Sequence, residues 1–263
     1  MRLLVRSARN SLGGVTLAQA TALVLPVVIV AQAQPSRYAI LLVTALLSTL
    51  IWEAVFAALR KYPFSFHGLT TALIFVVMIP PTLPLWQLVL MLSLGVILGE
   101  LIFGGRGYGF INPAVVALCL LVFSFPQVQL PPASQSLALA VVPGAVWLLL
   151  LGLISARVIA GTVLGIVGLM FLGGTGVHIL TIGTALGFGL IFLICDPTGA
   201  AATNPGRWIY GVLAGGLIIL FSGGQNPTAD SVVFAAITAS VFAPLIDHLV
   251  VLGHAKWRGV AHG

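Results

Sequence analysis

Long apolar runs, separated by short polar or proline-containing turns, cover almost the whole chain. A helix needs about 20 apolar residues to cross a bilayer, and fewer where it stops inside the membrane. The runs therefore predict about ten membrane helices, of which those at 68–79, 113–125 and 208–221 are short. The predicted spans cover residues 15–33, 38–59, 68–79, 84–103, 113–125, 137–154, 158–173, 178–195, 208–221 and 229–251.

The composition is typical of an all-α polytopic membrane protein. Charged residues make up only 6% of the chain, against about 25% in soluble domains, and the mean hydropathy is +1.18. The net charge of +6 does not indicate a nucleic-acid partner, because the basic residues lie at the ends of the apolar runs that face the lipid bilayer. Cys119 and Cys195 lie in apolar runs and predict buried free thiols, and no metal site is expected.

The distribution of basic residues predicts the orientation of the helices. With the N-terminus on the cytoplasmic side, Arg37 alone of the 11 lysine and arginine residues falls on the outer face. This bias follows the positive-inside rule. One missed or extra helix would place basic residues on both faces, so the bias also supports the number of helices. Because the run 15–33 is long for the apolar core of a signal peptide, we predict a retained first helix and two cytoplasmic termini. The inner basic residues are Arg2, Arg6, Arg9, Arg60, Lys61, Arg106, Arg157, Arg207, Lys256 and Arg258.

The chain also resembles itself. T-A-L-I-F-V-V-M-I-P-P-T at 71–82 and T-A-L-G-F-G-L-I-F-L-I-C-D-P-T at 184–198 are apolar runs with the same beginning and end. An Asn-Pro pair follows each Pro-Thr turn, 30 residues on in the first copy (Thr82 to Asn112) and 28 in the second (Thr198 to Asn226).

Five spans fall in each copy, and an odd number inverts the second copy relative to the first. We therefore predict a single membrane domain, 1–263, with a first repeat at 1–125 and an inverted second repeat at 137–251. Inverted repeats with broken helices place the functional site near the membrane midplane, between the repeats.

Several motifs now identify a family. D-P-T-G-A-A-A-T-N-P-G-R-W-I-Y-G at 196–211 resembles the D-P-x-S-A-x-x-T-N-x-G-R-W-x-Y-G signature of the NqrB/RnfD family. F-G-G-R-G-Y-G-F-I-N-P-A at 103–114 is similar to its F-G-G-x-G-x-x-x-F-N-P-A. G-L-T-T-A-L-I-F-V-V-M-I-P-P at 68–81 resembles its T-x-L-L-x-x-x-x-L-P-P turn, and F-A-P-L-I-D at 242–247 resembles its last helix.

Members of that family are membrane subunits of the sodium-pumping NADH:quinone reductase and of the Rnf ferredoxin:NAD oxidoreductase. The resemblance implies a subunit in a bacterial inner membrane that couples electron transfer to Na⁺ or H⁺ translocation, with other membrane and redox subunits as partners. The chain has no Walker loop, no dinucleotide-binding motif and no soluble domain for NADH, so it is not a complete dehydrogenase.

One departure from the family concerns its flavin. Family members carry S-G-A-T after the fifth helix, and its Thr holds FMN through a phosphoester, whereas residues 124–136 read S-F-P-Q-V-Q-L-P-P-A-S-Q-S. Covalent FMN is therefore not expected, and the cofactor prediction is non-covalent FMN or riboflavin, or none. The alternative is a stand-alone transporter or channel for small solutes or ions that keeps the inverted-repeat fold.

Three carboxylates are the candidates for ion translocation: Glu100, Asp196 and Asp247. Ionisable residues inside membrane spans are costly to bury and are functional candidates by default. A structural alternative stands beside each one. Glu100 pairs with Arg106, Asp196 caps a helix or pairs with Arg207, and Asp247 forms a surface ion pair near Lys256 and Arg258.

Four residues are candidates for binding a cofactor: Thr71, Asn112, Asn204 and Asn226. Thr71 lies in the motif that resembles the family's Pro-Pro turn. The three asparagines head short helices, where an Asn caps the N-terminus or the N-terminus faces an anion such as a flavin phosphate.

Other polar residues receive structural interpretations. Glu53 is predicted to be satisfied by water near Arg60 and Lys61. His67 and His178 are predicted to be hydrogen-bonded at helix starts, and Asp230 suits a helix N-terminus.

Overall fold

The computed structural model describes residues 12–61, 66–105, 108–132, 134–173, 186–224 and 226–261, and these form ten helices and no strand. We number the helices in chain order. They are α1 (Leu12–Ala31), α2 (Pro35–Arg60), α3 (Gly68–Met78), α4 (Leu85–Leu101), α5 (Pro113–Ser124), α6 (Gln135–Leu150), α7 (Ala156–Leu172), α8 (186–194), α9 (Asn204–Phe221) and α10 (Ala229–Ala261).

Nine of the predicted spans coincide with these helices to within a few residues, apart from the C-terminal extension of α10. The tenth span, 178–195, is described only from residue 186 onward, where it forms α8. The short helices at 68–79 and 113–125 are confirmed, with 11 residues in α3 and 12 in α5. The prediction of a short helix at 208–221 is wrong, because α9 begins at Asn204 and has 18 residues. Pro205 in its first turn costs no hydrogen bond there.

The helices vary in length as a broken-helix membrane fold requires. Among the described residues, Gly13–Ala31, Pro35–Arg60 and Ala229–Ala255 are long and apolar enough to cross a bilayer alone. Five other apolar helices have 10–17 residues. Large apolar side chains such as Leu17, Leu47 and Leu164 are more than half exposed, as lipid-facing residues are. The protein is therefore an all-α membrane protein.

The two Pro-Thr turns contact opposite ends of the helix pair formed by α1 and α2. Arg37, in the first turn of α2, donates from Nε to the Pro81 carbonyl at 2.8 Å and from Nη2 to the Leu83 carbonyl at 2.6 Å. The second Pro-Thr turn instead contacts α1 in its N-terminal half, where Gln19 donates to Asp196. Since α1 and α2 follow each other along the chain and run in opposite directions, their contacts place the two turns at opposite ends of the molecule. Two inverted repeats have this arrangement.

Small residues allow close helix packing within the second half. A Cβ atom on Gly161 would lie 2.9 Å from the Trp208 carbonyl, and one on Gly211 would lie 2.6 Å from the Val158 carbonyl. Since no side chain separates the backbones of α7 and α9, they approach as closely as helices can. We call this contact of α7 with α9 the glycine seam.

Candidate functional site

Two buried carboxylates, Glu100 and Asp196, occur at π-helical turns. Ile102 N donates to the Ile97 carbonyl at 3.0 Å, and Cys195 N donates to the Leu190 carbonyl at 2.9 Å, both across five residues. Glu100 lies inside the first turn, and Asp196 follows the second turn after Cys195. Such turns break the regular ladder of an α-helix and are frequent at functional sites.

The Glu100 carboxylate contacts a histidine ring. His67 Nε2 lies 3.4 Å from Glu100 Oε2, and both residues are about 95% buried, with exposures of 5% and 6%. The proposed alternative partner, Arg106, lies outside the described residues. The prediction that His67 is hydrogen-bonded at a helix start is confirmed, and its ring also contacts Glu100.

The other nitrogen of His67 contacts Thr70. The distance between Nδ1 and Thr70 Oγ1 is 2.8 Å, and the same hydroxyl lies 2.9 Å from the backbone carbonyl of His67. Both ring nitrogens thus face a polar partner, which fixes the orientation of the imidazole.

Glu53 corrects another prediction. Its carboxylate accepts hydrogen bonds from the backbone N–H groups of His67 at 3.3 Å and Gly68 at 3.2 Å, so it caps the start of α3 instead of bonding water near Arg60 and Lys61. The first N–H groups of a helix have no partner within the helix, so this buried carboxylate satisfies two of them. Arg60 donates a hydrogen bond to the Leu101 carbonyl at 2.7 Å, at the end of α4.

Asp196 is held by two residues. Gln19 Nε2 donates to Oδ1 at 3.0 Å, while the backbone N–H and the hydroxyl of Thr198 donate to Oδ2. The alternative of a pair with Arg207 is not what the structure has, because Arg207 Nε donates to the Ala201 carbonyl at 3.3 Å. Asp196 is 4% exposed, so its charge is compensated by hydrogen bonds within the protein.

Asn112 connects the two repeats. Its Oδ1 accepts from Ala114 N at 2.9 Å, which confirms it as the cap of α5, and its Nδ2 donates to the Phe192 carbonyl in the π-helical turn of α8 at 3.3 Å. Close to this bond, a Cβ on Gly99 would lie 2.8 Å from Pro113 Cα. The segments around Glu100 and Asp196 are therefore packed together across the repeat boundary.

Both carboxylate sites lie at a similar depth. Gln19 follows Leu12 by seven residues in α1, and Glu53 precedes Arg60 by seven in α2. At 1.5 Å per residue, each lies about 10 Å from the helix end, in helices of about 30–39 Å. Both sites therefore lie within the helix bundle, on the side of Arg60.

Asp247 has a different environment. Ala202 N donates to Oδ2 at 2.7 Å, and Thr203 donates to Oδ1 from its backbone N–H at 3.0 Å and from its hydroxyl at 2.5 Å. The sequence favoured a surface ion pair with Lys256 and Arg258, whose side chains lie outside the described part. The described contacts instead tie α10 to the turn before α9.

The four residues predicted to bind a cofactor do not come together. Thr71 is buried within α3, with 2% exposure, and both polar ends of the Asn112 side chain are engaged. Asn204 accepts from Arg157 at 2.6 Å, while Thr203 is the cap of α9. Asn226 is exposed at the opposite end of that helix. These four residues therefore do not fit a joint flavin site.

Asn226 also does not cap α10. Thr228 Oγ1 accepts from Ser231 N at 3.2 Å, and Ser231 Oγ accepts from Thr228 N at 3.0 Å. The sequence predicted the helix start correctly but chose the wrong capping residue, because two candidate caps lie only two positions apart.

A cavity of about 280 Å³ lies between the repeats at the other end of the molecule, and the sequence did not predict it. It is mostly apolar, with hydroxyl groups at Tyr38, Ser134 and Ser136, and its wall includes Met78 and Phe188. Its volume is just below the range of about 300–1,000 Å³ that is usual for small-molecule sites.

Comparison with known proteins places this arrangement in a family. The sequence model of the NQR2, RnfD, RnfE family matches residues 6–133 and 132–255, two segments that meet between the repeats. The chain is 31% identical to a Na(+)-translocating NADH-quinone reductase subunit of Pseudomonas paraeruginosa over 81% of the chain and 66% of that protein.

The corresponding reductase subunits from Ectopseudomonas mendocina and Yersinia pestis are similar at 30% and 31% identity, over 79% of the chain and 65% and 64% of their own length. The chain thus spans about two thirds of the length of these curated relatives. With the family matches covering nearly the whole chain, it belongs to the NQR2, RnfD, RnfE family.

Proposed function

We propose that the chain is a membrane subunit of an electron-transport complex of the Nqr or Rnf type, which couples electron transfer to the translocation of Na⁺ or H⁺. The observation that carries the proposal is the pair of buried carboxylates, Glu100 and Asp196. Both lie at π-helical turns, and Asn112 bonds the Phe192 carbonyl in the turn before Asp196. The names of the relatives, which are sodium-translocating reductase subunits, support it.

In this proposal Glu100 and Asp196 bind the cation in turn, and Asp247 holds the turn between them and the cytoplasm. Broken helices that meet at a repeat interface are the usual ion sites of such folds. The first repeat comprises 1–125 and the second 137–251, in a multi-pass protein of a bacterial inner membrane with both termini in the cytoplasm. Partner subunits supply the nucleotide and iron–sulfur sites.

The test uses the assembled complex in proteoliposomes and follows electron transfer against Na⁺ concentration at constant pH. We expect Glu100→Gln and Asp196→Asn each to raise the Na⁺ requirement about 10- to 100-fold, because hydrogen bonds and contacts to a charged group contribute about 1.5–3 kcal/mol. Asp230→Asn is the matched control, since its carboxylate lies in the first turn of α10 at the opposite end of the molecule. An unchanged Na⁺ requirement in both variants, with the complex intact, rejects these residues as the ion path.

The cofactor part of the proposal is non-covalent FMN or riboflavin, and no site is assigned to it, because the residues predicted to bind it do not come together and the 280 Å³ cavity has no basic side chain in its wall. Acid precipitation of the gently purified complex is the test. Yellow colour released from this subunit supports the proposal, whereas colour retained in its pellet reveals a covalent flavin. Colourless, folded protein counts against a flavin and favours the transporter alternative.

A further inference from the structure

We infer that Arg60 weakens cation binding at Glu100, so that Glu100 is the lower-affinity of the two proposed cation positions. The inference rests on the proposed function, in which Glu100 and Asp196 bind the cation in turn, and it adds a residue that determines their relative affinity. Its basis is a difference between the two π-helical turns, because a charged side chain binds the end of the first turn and neutral side chains bind the end of the second.

The end of the first π-helical turn is bonded to a guanidinium group. Arg60 Nη1 donates to the Leu101 carbonyl at 2.7 Å, and Nη2 donates to the Ile102 carbonyl at 3.2 Å. The side chain also crosses the ring of Phe56, with Cζ 5.3 Å from the ring centroid. Because two bonds and the ring contact fix the guanidinium, its positive charge stays next to the backbone that carries Glu100.

Neutral groups bind the carbonyls at the end of the second π-helical turn. Asn112 Nδ2 donates to the Phe192 carbonyl at 3.3 Å, and the Tyr210 hydroxyl donates to the Ile194 carbonyl at 3.1 Å. The carbonyls at the C-terminal end of a helix carry a partial negative charge. A guanidinium compensates that charge fully, whereas a neutral donor does not, so the second turn attracts a cation more strongly than the first.

Arg207 lies near the second turn, but an acidic side chain lies beside it. Arg207 Nε donates to the Ala201 carbonyl at 3.3 Å. The Asp247 carboxylate accepts from the backbone N–H of Ala202, the next residue, at 2.7 Å, so a negative charge is close to the guanidinium. The net charge added beside the second turn is therefore smaller than the charge that Arg60 adds beside the first.

The charge of Arg60 is close enough to Glu100 to change the affinity for a cation. Leu101 follows Glu100 directly, and consecutive Cα atoms are about 3.8 Å apart, so the guanidinium and a cation at the carboxylate are separated by roughly 10 Å. At an effective dielectric constant of about 25–50, two like charges at this distance weaken binding about 3- to 10-fold. A cation bound at Glu100 therefore leaves more readily than it would without Arg60.

The test measures the Na⁺ dependence of electron transfer by the assembled complex in proteoliposomes, at constant pH and with choline chloride keeping the ionic strength constant. We expect Arg60→Gln to lower the half-saturating Na⁺ concentration about 3- to 10-fold, because the weaker position determines that concentration. The maximal rate should not rise, since a more tightly bound cation leaves more slowly. Lys61→Gln is the matched control, because it removes the neighbouring exposed charge, which solvent and salt screen.

Arg60→Lys separates the charge of Arg60 from its bonds. Lysine keeps the positive charge, so this variant should retain most of the wild-type Na⁺ requirement. A purely structural role predicts a different pattern, because lysine and glutamine both lose the planar fork that binds two carbonyls. Equal Na⁺ requirements in Arg60→Lys and Arg60→Gln therefore overturn the inference. Arg60→Met is a second neutral variant, which keeps the aliphatic contact with Phe56 and replaces Arg60→Gln if that variant does not assemble.

Double variants show whether Arg60 acts through Glu100. The gain in Na⁺ affinity from Arg60→Gln should disappear in a Glu100→Gln background and persist in an Asp196→Asn background. Persistence in both backgrounds overturns the inference. If the two carboxylate variants raise the Na⁺ requirement but Arg60→Gln does not lower it, only the role of Arg60 falls and the proposed function stands. If the carboxylate variants have no effect, the proposed function falls, and the inference falls with it.

Discussion

At the residue scale, four acidic side chains are stabilised by polar partners within the membrane domain. Glu53 accepts from two backbone N–H groups at the start of α3, and Asp247 accepts from backbone N–H groups and a hydroxyl at the start of α9. Glu100 contacts the His67 ring, and Asp196 accepts from the Gln19 side chain and from the backbone and hydroxyl of Thr198. Glu53 and Asp247 therefore hold the backbone at a helix start, while Glu100 and Asp196 each have a side-chain partner from another helix.

Glu53→Ala should destabilise the protein strongly. It leaves the N–H groups of His67 and Gly68 buried without their acceptor, which costs about 1–3 kcal/mol for each group. Glu53→Gln keeps one acceptor oxygen and should lose less. The measurement is thermal unfolding in detergent, with Leu47→Ala on the exposed face of the same helix as the control. A Glu53→Ala protein as stable as the control would show that α3 does not need this cap.

At the element scale, proline and glycine determine where helices stop and how closely they pack. Pro35, Pro113 and Pro205 occupy first turns, and Gly104 and Gly105 follow α4 with φ values of 116° and 95°, which only glycine adopts easily. The chain can therefore turn sharply after Glu100. These positions explain why helix limits were readable from the sequence.

Gly211→Ala tests the glycine seam. The new Cβ would lie 2.6 Å from the Val158 carbonyl, so the backbones of α7 and α9 must separate, and overpacking of this kind costs about 1–3 kcal/mol. Gly168→Ala, where nothing lies within 4 Å, should instead be neutral or stabilise by about 0.5–1 kcal/mol. The measurement is thermal unfolding of both variants in detergent. Equal unfolding midpoints would contradict the close backbone contact of the glycine seam.

At the scale of the whole molecule, the two repeats meet around Asn112 and present their Pro-Thr turns at opposite ends. Asn112 of the first repeat donates a hydrogen bond to the Phe192 carbonyl of the second, and Gln19 of the first repeat donates one to Asp196 of the second. The first half thus contributes two polar residues to a broken helix of the second. These two bonds connect the first half directly to Asp196 and to the π-helical turn before it.

The opposite positions of the turns predict labelling from opposite sides of the membrane. In a background of Cys119→Ser and Cys195→Ala, Thr82→Cys should react with an impermeant maleimide in intact cells, because Thr82 is exposed near Arg37. Asn204→Cys, exposed at the start of α9, should react only after permeabilisation. Labelling of both positions from one side would contradict the inverted repeats.

The sequence predicted the helices, the family and the buried acids, but few of their partners. Apolar length and proline positions are local signals, so they determined nearly every helix. The bonds that build the site are not local: 177 residues separate Gln19 from Asp196, and 80 separate Asn112 from Phe192. The position of His67 at a helix start was predicted, but its contact with Glu100 joins two different helices and has no local signal.

The glycine seam has a mechanical consequence. The backbones of α7 and α9 are in direct contact, with no side chains between them. In the sequence, α8 lies between these two helices. When the molecule is pulled from its C-terminus, α10 can leave alone, but the extraction of α9 removes the packing surface of α7. Residues 156–221 should then leave the bilayer as one unit, giving a single rupture with a contour length of roughly 24 nm, at about 3.6 Å per residue.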